Sequence, residues 1–360
     1  MKIQENDYLD YCQDSILGLP VTELTSYRNE VDRFGFSRFL QDYFNLNHNS
    51  RAFCHWLHGW NFAWRDININ DIGSASNTNK YLKSLPSIVY NDRIKNLFEQ
   101  SKFRDVRLGP LPFTLYNQIY GQTLKDYRPI DYLILLPKLT SSSVEHINLS
   151  TYRLDQRNIE FITSFNKLSN EGKNVVFCLY YKDIGIPLIR DYITKNKLKW
   201  IHGANPYDRY SLQKMHKIFA LSKVVYTNVM GSGLVYAAIC GAKVGISHNY
   251  FYKEQNPQFK NINRPRWDRY HNLDYISSHY SHLLCSRIED SKIHKSWAIK
   301  ETGGDIILEY GELLKILGWN KNSLLINNLL SFNDRLKKKS ATIVRDFLPK
   351  INCFKTIPKC

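Results

Sequence analysis

The chain has 360 residues, of which 43% are hydrophobic, and a formal net charge of +16. This length and composition predict a globular protein of about two domains and exclude a disordered chain or a small disulfide-stabilised scaffold. No apolar run approaches the roughly 18–20 residues of a membrane span, and the first residues lack the apolar core of a signal peptide. The seven cysteines are scattered without a C-x-x-C pair, so we expect reduced thiols and a cytoplasmic protein.

The first 128 residues have the pattern of an α/β domain of almost neutral charge, with 15 Lys and Arg against 14 Asp and Glu. An aromatic stripe within 27–44 predicts a helix packed on the core. Short apolar runs then predict three strands, and Asn91 or Asp92 caps a helix between the second and the third. The strands are expected at 52–57, 87–90 and 105–108. This alternation predicts a parallel sheet, followed by a linker at 121–129.

Residues 129–282 carry the clearest pattern and most of the charge, with 20 Lys and Arg against 11 Asp and Glu. Five apolar strands alternate with helices, which is the order of a doubly wound parallel α/β domain. The strands are predicted at 131–136, 174–180, 199–202, 223–227 and 243–247. The helices between them are predicted at 159–168, 187–196, 211–222 and 234–240.

Residues 283–360 are basic, with 14 Lys and Arg against 8 Asp and Glu, and their periodicity predicts helices at 306–317, 324–330 and 332–347. The basic run 335–339 is either a solvated helix face or a contact with the anionic cytoplasmic leaflet. We therefore expect two Rossmann-like α/β domains, 1–128 and 129–282, followed by a basic helical segment at 283–360. If the basic run contacts the anionic leaflet, we expect the protein to associate peripherally with the inner membrane.

The strongest candidate for a binding site is the turn of small residues between the strand at 223–227 and the following helix. It holds Asn228, Gly231, Ser232 and Gly233. Glycine lets a ligand approach the backbone, and the N-terminus of a helix attracts negative charge. We expect these four residues to bind an anionic ligand at the carboxyl edge of the sheet. The alternative is a tight turn in which a glycine has a positive φ.

Three other turns leave the same edge of the predicted sheet. Thr140 and Ser141 follow its first strand and offer hydroxyl groups, Lys182 follows the second and offers a point charge, and Asn205 follows the third. Each alone is also what an ordinary turn or helix cap contains. Because these turns lie together on one edge, we expect the four side chains to contribute to the same anion site.

In the first domain, a cleft is predicted where the strands at 52–57 and 105–108 end. His58 is a candidate general base, because histidine is the residue type best suited to exchange protons at neutral pH, and Gly59 and Trp60 lie beside it; the alternative is a structural histidine. Gly109 and Pro112 are expected to form another wall of this cleft. A two-histidine metal site is disfavoured, because positions 55 and 58 face opposite sides of a strand.

These residues together resemble a known family. The W-L-H-G sequence at 56–59, Gly109-Pro110, the small-residue turn with the helix at 232–237, and the G-A-K-V sequence at 241–244 resemble the two-domain GT-B glycosyltransferases. The similarity is greatest to bacterial transferases that build capsule and lipopolysaccharide. It covers about residues 50–250.

The resemblance implies a glycosyltransferase with a nucleotide sugar as donor substrate in the second domain and no separate cofactor. It also implies a glycan or lipid-linked acceptor in the first domain, and catalysis without a metal in the cleft. His58 is then the base of an inverting reaction, while retention of configuration stays open. Many relatives have an acidic residue in the helix after the turn, where this chain has Tyr236, so the donor is not named.

Three alternatives remain open. A nucleic-acid-binding protein would explain the basic charge and the mixture of arginine and aromatic residues at 253–269. No recognised nucleic-acid module is present, so nucleic acid is not the expected partner. An NAD(P)-dependent oxidoreductase is disfavoured because Tyr236 stands where the dinucleotide fingerprint needs a small residue. The third alternative is a non-catalytic relative that acts in an assembly complex.

Overall fold

The computed structural model describes residues 30–46, 52–66, 83–121, 128–137, 156–181, 183, 187–249 and 272–319. A smaller, parallel sheet contains β1 (His55–Trp56), β2 (Ser87–Val89) and β3 (Val106–Leu108), in that order. The helices around it are α1 (Phe36–Tyr43), which a 3-10 turn at Glu30–Gly35 precedes, α2 (Asp92–Gln100) and α3 (Pro112–Tyr120). The side chain of Asn91 caps α2, as expected, by accepting from the N–H of Ile94 at 2.9 Å.

A larger sheet contains the remaining strands of the described residues: β4 (Ile130–Leu135), β5 (Val175–Leu179), β6 (Lys199–His202), β7 (Ser222–Thr227), β8 (Lys243–Ser247), β9 (Leu284–Cys285) and β10 (Lys292–Ile293). Its order is β10-β8-β7-β4-β5-β6, and β9 also pairs with β8. Every pairing is parallel except that of β10 with β8. The α/β fold with two sheets is confirmed, and each of the five predicted strands lies within one residue of its expected bounds.

Helices cover both faces of this sheet: α4 (Gln156–Thr163), α5 (Asn166–Asn170), α6 (Pro187–Lys195), α7 (Ser211–Ala220), α8 (Ser232–Ile239) and α9 (Leu273–Tyr280). Strand β5 is buried along its whole length, as a strand covered on both faces must be. One core lies beneath α4 and α5, and a second joins α7 and α8 to the smaller sheet. Helices α7 and α8 therefore pack between the larger sheet and the smaller one. Among the described residues, no helix is long and apolar enough to cross a membrane.

Two predicted elements differ from the structure for local reasons. The single helix expected at 159–168 is wrong, since α4 and α5 are separate. The hydroxyl of Thr163 donates to the carbonyl of Ile159 at 2.9 Å, and such local bonds compete with the regular helical pattern. The strand expected at 52–57 has only the two residues of β1, because the N–H of Phe53 donates to the carbonyl of Leu317 at 3.0 Å instead of to the sheet.

The segment after the larger sheet returns to the smaller one. It contains α10 (Lys295–Glu301) and α11 (Tyr310–Ile316), the second of which is shorter than the helix expected at 306–317. The N–H of Leu111 donates to the carbonyl of Thr302 at 2.9 Å, and Arg107 donates to Glu312 at 2.9 Å. The helices predicted at 324–330 and 332–347, with their basic run, lie outside the described residues.

Candidate functional site

The order of the strands defines a switch point in the larger sheet. Strand β4 lies between β5 and β7, and the chain runs to one side through β5 and β6 before it returns to β7 on the other. In open α/β sheets, ligands bind in the crevice at the carboxyl ends of the strands at such a point. Here Leu135 pairs with Thr227, whose hydroxyl donates to the carbonyl of Leu135 at 2.8 Å.

The predicted small-residue turn leaves β7 at this switch point. Helix α8 begins at Ser232, and its N-cap residue Gly231 has an extended backbone with a φ of −171°. A Cβ at Gly231 would have no heavy atom of the described residues within 4 Å, whereas one at Gly233 would lie 3.0 Å from Leu135 Cδ1. Neither glycine has a positive φ, so the tight-turn alternative does not apply. The lack of a side chain at Gly233 lets α8 pack closely on Leu135 of β4. Gly231 borders open space in the part of the chain that the structure describes.

The first turn of α8 and the side chain of Asn228 both have polar groups without a side-chain partner among the described residues. No side chain of the described residues caps α8, so its first N–H groups keep their capacity to bind an anion. Asn228 is only 1% exposed, and neither its Oδ1 nor its Nδ2 has a hydrogen-bond partner in the structure as described. A buried amide without partners lowers the free energy of unfolding by roughly 1–3 kcal/mol, and a ligand that hydrogen-bonds the amide would remove this cost.

A second buried amide lies on the same side of the sheet. Asn158 in α4 is 1% exposed, and both of its polar atoms lack a partner within the described segments. The ring centroids of Phe161 and Tyr226 are 6.1 Å apart, so α4 packs on this face of β7. Asn158 precedes Phe161 by about one turn, and Asn228 follows Tyr226 by two positions, so each amide lies a few residues along the chain from this contact. Sequence reasoning missed Asn158, although a polar residue on the apolar face of a helix was a visible signal.

The turn after β6 is held by a network of its own. The Oδ1 of Asn205 accepts from the N–H of Tyr207 at 3.0 Å, so this predicted ligand residue shapes its own loop. Lys214 and Asp208 form a buried ion pair at 2.8 Å. Burial, together with the charge of Lys214, lowers the pKa of His202 to about 4, so this imidazole is neutral at neutral pH.

The predicted residues Thr140, Ser141 and Lys182 lie outside the described residues. Among the residues that the structure does describe, no cluster of three or more His, Cys, Asp or Glu side chains could hold a metal ion.

Tyr236 connects α8 to the loop that contains His58. Its hydroxyl donates to the carbonyl of His58 at 3.3 Å and accepts from the N–H of Trp60 at 3.4 Å. Its ring stacks on Phe113 of α3 with centroids 4.3 Å apart, and burial raises the pKa of Tyr236 far above its ordinary value. The position where the family resemblance leads one to expect an acidic residue is thus occupied by a neutral hydroxyl that joins the two sheets.

The other predicted residues of the smaller sheet have different surroundings. A Cβ at Gly59 would meet no atom within 4 Å in the part of the chain that the structure describes, so this glycine borders open space there. Trp60 is buried, and its indole donates to Glu301 at 3.1 Å. Gly109 and Pro112 are both buried; a Cβ at Gly109 would lie 2.8 Å from Leu308 Cδ1. Gly109 therefore lies against Leu308 of the returning segment, and Pro112 is buried at the start of α3.

Comparison with known proteins gives no family. No family model matches the chain, and no curated protein matches it. One similar solved structure is a mutant of S. aureus TarM in complex with fondaparinux, α-GlcNAc-glycerol and UDP, with 17% identity over 83% of this chain and a TM-score of 0.31. Another is the pneumococcal O-GlcNAc transferase GtfA in complex with UDP and GlcNAc, with 14% identity over 76% of this chain and a TM-score of 0.31.

This chain spans about half the length of both proteins, covering 54% of the first and 52% of the second. Likenesses at this TM-score assign no activity to the chain. Its function must be argued from its own residues.

Proposed function

We propose that this protein is a glycosyltransferase that binds a nucleotide sugar at the switch point of the larger sheet. The observation that carries the proposal is Asn228, which is fully buried and has no hydrogen-bond partner among the described residues. It lies directly before the open Gly231 and the uncapped N-terminus of α8. A ligand with both donor and acceptor groups beside a phosphate would satisfy the amide and the free N–H groups together.

The same arrangement serves the departure of the nucleotide. When the bond between the sugar and the diphosphate or monophosphate breaks, negative charge develops on the leaving oxygen. The N–H groups at the start of α8 are fixed in place, and fixed donors stabilise developing charge without reorganisation. We propose that the helix N-terminus and basic residues of the region 129–282 stabilise the charge on the leaving oxygen. A metal is not part of this proposal. The excess of 20 Lys and Arg over 11 Asp and Glu in this region favours anionic substrates.

In the proposed reaction, His58 acts as the base of an inverting transfer. The acceptor hydroxyl attacks the anomeric carbon, its proton passes to the His58 imidazole, and the bond from that carbon to the nucleotide phosphate breaks. The His58 loop is bonded to α8 through Tyr236, so the candidate base belongs to the same body as the donor turn. The open space at Gly59 adjoins the candidate base and is available to an acceptor.

The acceptor that we propose is a growing surface polysaccharide or lipopolysaccharide, with the enzyme in the cytoplasm at the inner membrane. Two features support this choice: the family resemblance of the 56–59 and 232–237 sequences, and the 14 Lys and Arg against 8 Asp and Glu at 283–360. A basic segment of this kind favours an anionic membrane surface, where lipid-linked acceptors lie.

The test is thermal unfolding of the purified protein with UDP, GDP, CMP, CDP, dTDP, NAD and a short oligonucleotide. We expect one nucleotide to raise the unfolding midpoint with increasing concentration. Gly231→Val should unfold like the wild type without ligand, because its backbone is extended and its surroundings are open, but it should lose the nucleotide effect. Gly311→Val, at another glycine in open space, is the matched control and should keep it.

The other results of this screen are equally decisive. Stabilisation by the oligonucleotide alone would mean that the basic charge serves nucleic acid, and the glycosyltransferase proposal would fail. Stabilisation by NAD alone would replace it with an oxidoreductase.

A further inference from the structure

Phe34 has a backbone conformation that is costly for a bulky side chain. Its φ of 59° and ψ of 16° lie in the left-handed region, which few residues other than glycine, asparagine and aspartate adopt. The next residue, Gly35, also has a positive φ, of 75°. Two successive left-handed residues interrupt the turn at Glu30–Gly35 just before α1 begins. Such an outlier persists only when its surroundings hold it in place.

The loop after β6 provides those surroundings. The N–H of Phe34 donates to the carbonyl of Pro206 at 3.1 Å. A Cβ at Gly35 would overlap the carbonyl oxygen of Arg209, so position 35 admits no side chain while this contact exists. The larger sheet therefore forces the conformation of a segment that precedes the smaller sheet in the chain.

The strained backbone directs the Phe34 ring onto His58. The two ring centroids are 5.6 Å apart, with an angle of 36° between the ring planes. The carbonyl of the same histidine accepts from Tyr236 at 3.3 Å. His58 is thus contacted on its imidazole by Phe34 and on its peptide group by Tyr236, and both contacts come from elements other than its own loop.

We propose that Phe34 and Tyr236 are positioning residues that fix the imidazole of His58 relative to the donor turn at Gly231. This inference rests on the proposed function, in which His58 is the base. Proton transfer requires the base to lie within hydrogen-bond reach of the acceptor hydroxyl, and small displacements lower its rate steeply. A strained residue at this place is explained if the strain orients a reacting group.

The contact itself is tested without any assumption about activity. The protein is labelled at histidine, and the His58 ring signal is assigned by its absence from the His58→Gln variant. Phe34→Leu keeps an apolar side chain but removes the ring current, so the His58 signal should shift. Phe34→Tyr keeps the ring and should leave the signal close to its wild-type position. Tyr43→Leu removes a neighbouring exposed aromatic that contacts Phe39 and Phe44, and should not move the signal.

The positioning role is tested by kinetics with the nucleotide sugar whose nucleotide stabilises the protein. Phe34→Leu and Tyr236→Phe should each lower kcat by roughly tenfold and leave KM for the donor unchanged, since the Phe34 ring and the Tyr236 hydroxyl contact the His58 loop. Phe34→Tyr should restore kcat, and Tyr43→Leu should retain it. A merely structural role would lower the fraction of folded enzyme without this pattern of loss and rescue.

Two results would overturn the inference: a His58 signal that Phe34→Leu leaves in place, or wild-type kcat in both Phe34→Leu and Tyr236→Phe. Failure of the proposed function is separate, because it appears as the absence of any nucleotide effect on the wild type. In that case the base role of His58 fails with it, while the histidine signal still decides whether Phe34 holds the ring.

Discussion

The two halves of the candidate site are built in different ways. The donor turn follows β7, which pairs with β4 over the whole length of β4 and with β8 on its other side. The His58 loop follows β1, which has two residues and pairs with β2 alone. The donor turn is thus supported by its own sheet, whereas the His58 loop depends on Tyr236, on Phe34 and on Trp60 bonded to Glu301.

The donor turn should therefore keep its position when single contacts are removed, whereas the His58 loop should move. Substitutions in the larger sheet should mainly lower the free energy of unfolding, because its strand pairing and packing hold the fold. Substitutions at the contacts between the sheets should mainly displace the His58 loop.

The largest effect of a single substitution is expected from the buried ion pair between Lys214 and Asp208. Lys214→Met leaves the carboxylate of Asp208 buried without its cation, which should lower the free energy of unfolding by about 3–5 kcal/mol. Urea denaturation measures it. Lys223→Met is the control, because Lys223 pairs with Asp131 at 2.7 Å at an exposed site and should cost less than about 1 kcal/mol. Equal losses in both variants would contradict the larger contribution expected from the buried pair.

Acid should weaken both regions through two buried histidines. Burial and Lys214 lower the pKa of His202 to about 4, and burial lowers that of His216, at the contact between the sheets, to about 4. The unfolded chain binds these protons near pH 6.5. The free energy of unfolding is therefore unaffected by these two histidines above about pH 6.5. As the pH falls toward 4, it decreases by about 3 kcal/mol for each histidine, because the unfolded chain binds a proton that the buried imidazole does not.

The measurement is urea denaturation as a function of pH. His216→Gln keeps a donor for Asn117 Oδ1, which lies 3.1 Å from the imidazole Nε2, and removes one titrating group. We expect the loss of unfolding free energy between pH 6.5 and pH 4 to be about 3 kcal/mol smaller in this variant than in the wild type. An unchanged dependence would mean that His216 does not titrate in this way.

The unsatisfied amide of the donor turn should be removable with a gain in stability. Asn228→Leu replaces a buried group without partners by an apolar one, and should raise the free energy of unfolding by about 1–2 kcal/mol while abolishing nucleotide binding. Asn205→Leu is the contrast: its Oδ1 is bonded to Tyr207, so the same substitution should destabilise the protein. A loss of stability in Asn228→Leu would show that the amide has a structural partner.

The smallest effect on stability is expected at the contact between the sheets. Tyr236→Phe keeps the stack on Phe113 and removes a hydroxyl bonded to the His58 loop, at a cost of about 1 kcal/mol. Tyr226→Phe removes the bond from a tyrosine hydroxyl to Cys285 within the larger sheet, and should cost about as much. Hydrogen exchange should then separate them, with faster exchange at 57–60 in Tyr236→Phe alone. The same exchange in both variants would contradict the dependence of this loop on Tyr236.

The sequence predicted most strands of the larger sheet and the small-residue turn between β7 and α8. The apolar run at 174–180 became β5, and the spacing of Asn228 and Gly231 placed them between β7 and α8. These features depend on residues only a few positions apart, since hydrophobic periodicity and turn chemistry act locally. The prediction of one helix at 159–168 failed for an equally local reason, the hydroxyl bonds of Thr163 and Ser164.

The alternation of strands and helices, and the open turn at Gly231, were therefore determined by the sequence itself. The tertiary structure alone decided that Asn158 and Asn228 are buried without partners among the described residues and that Phe34 has a left-handed backbone. It also decided that the hydroxyl of Tyr236 meets the carbonyl of His58, a residue 178 positions away. No local pattern encodes such a contact, because it exists only once the chain path has brought distant segments together.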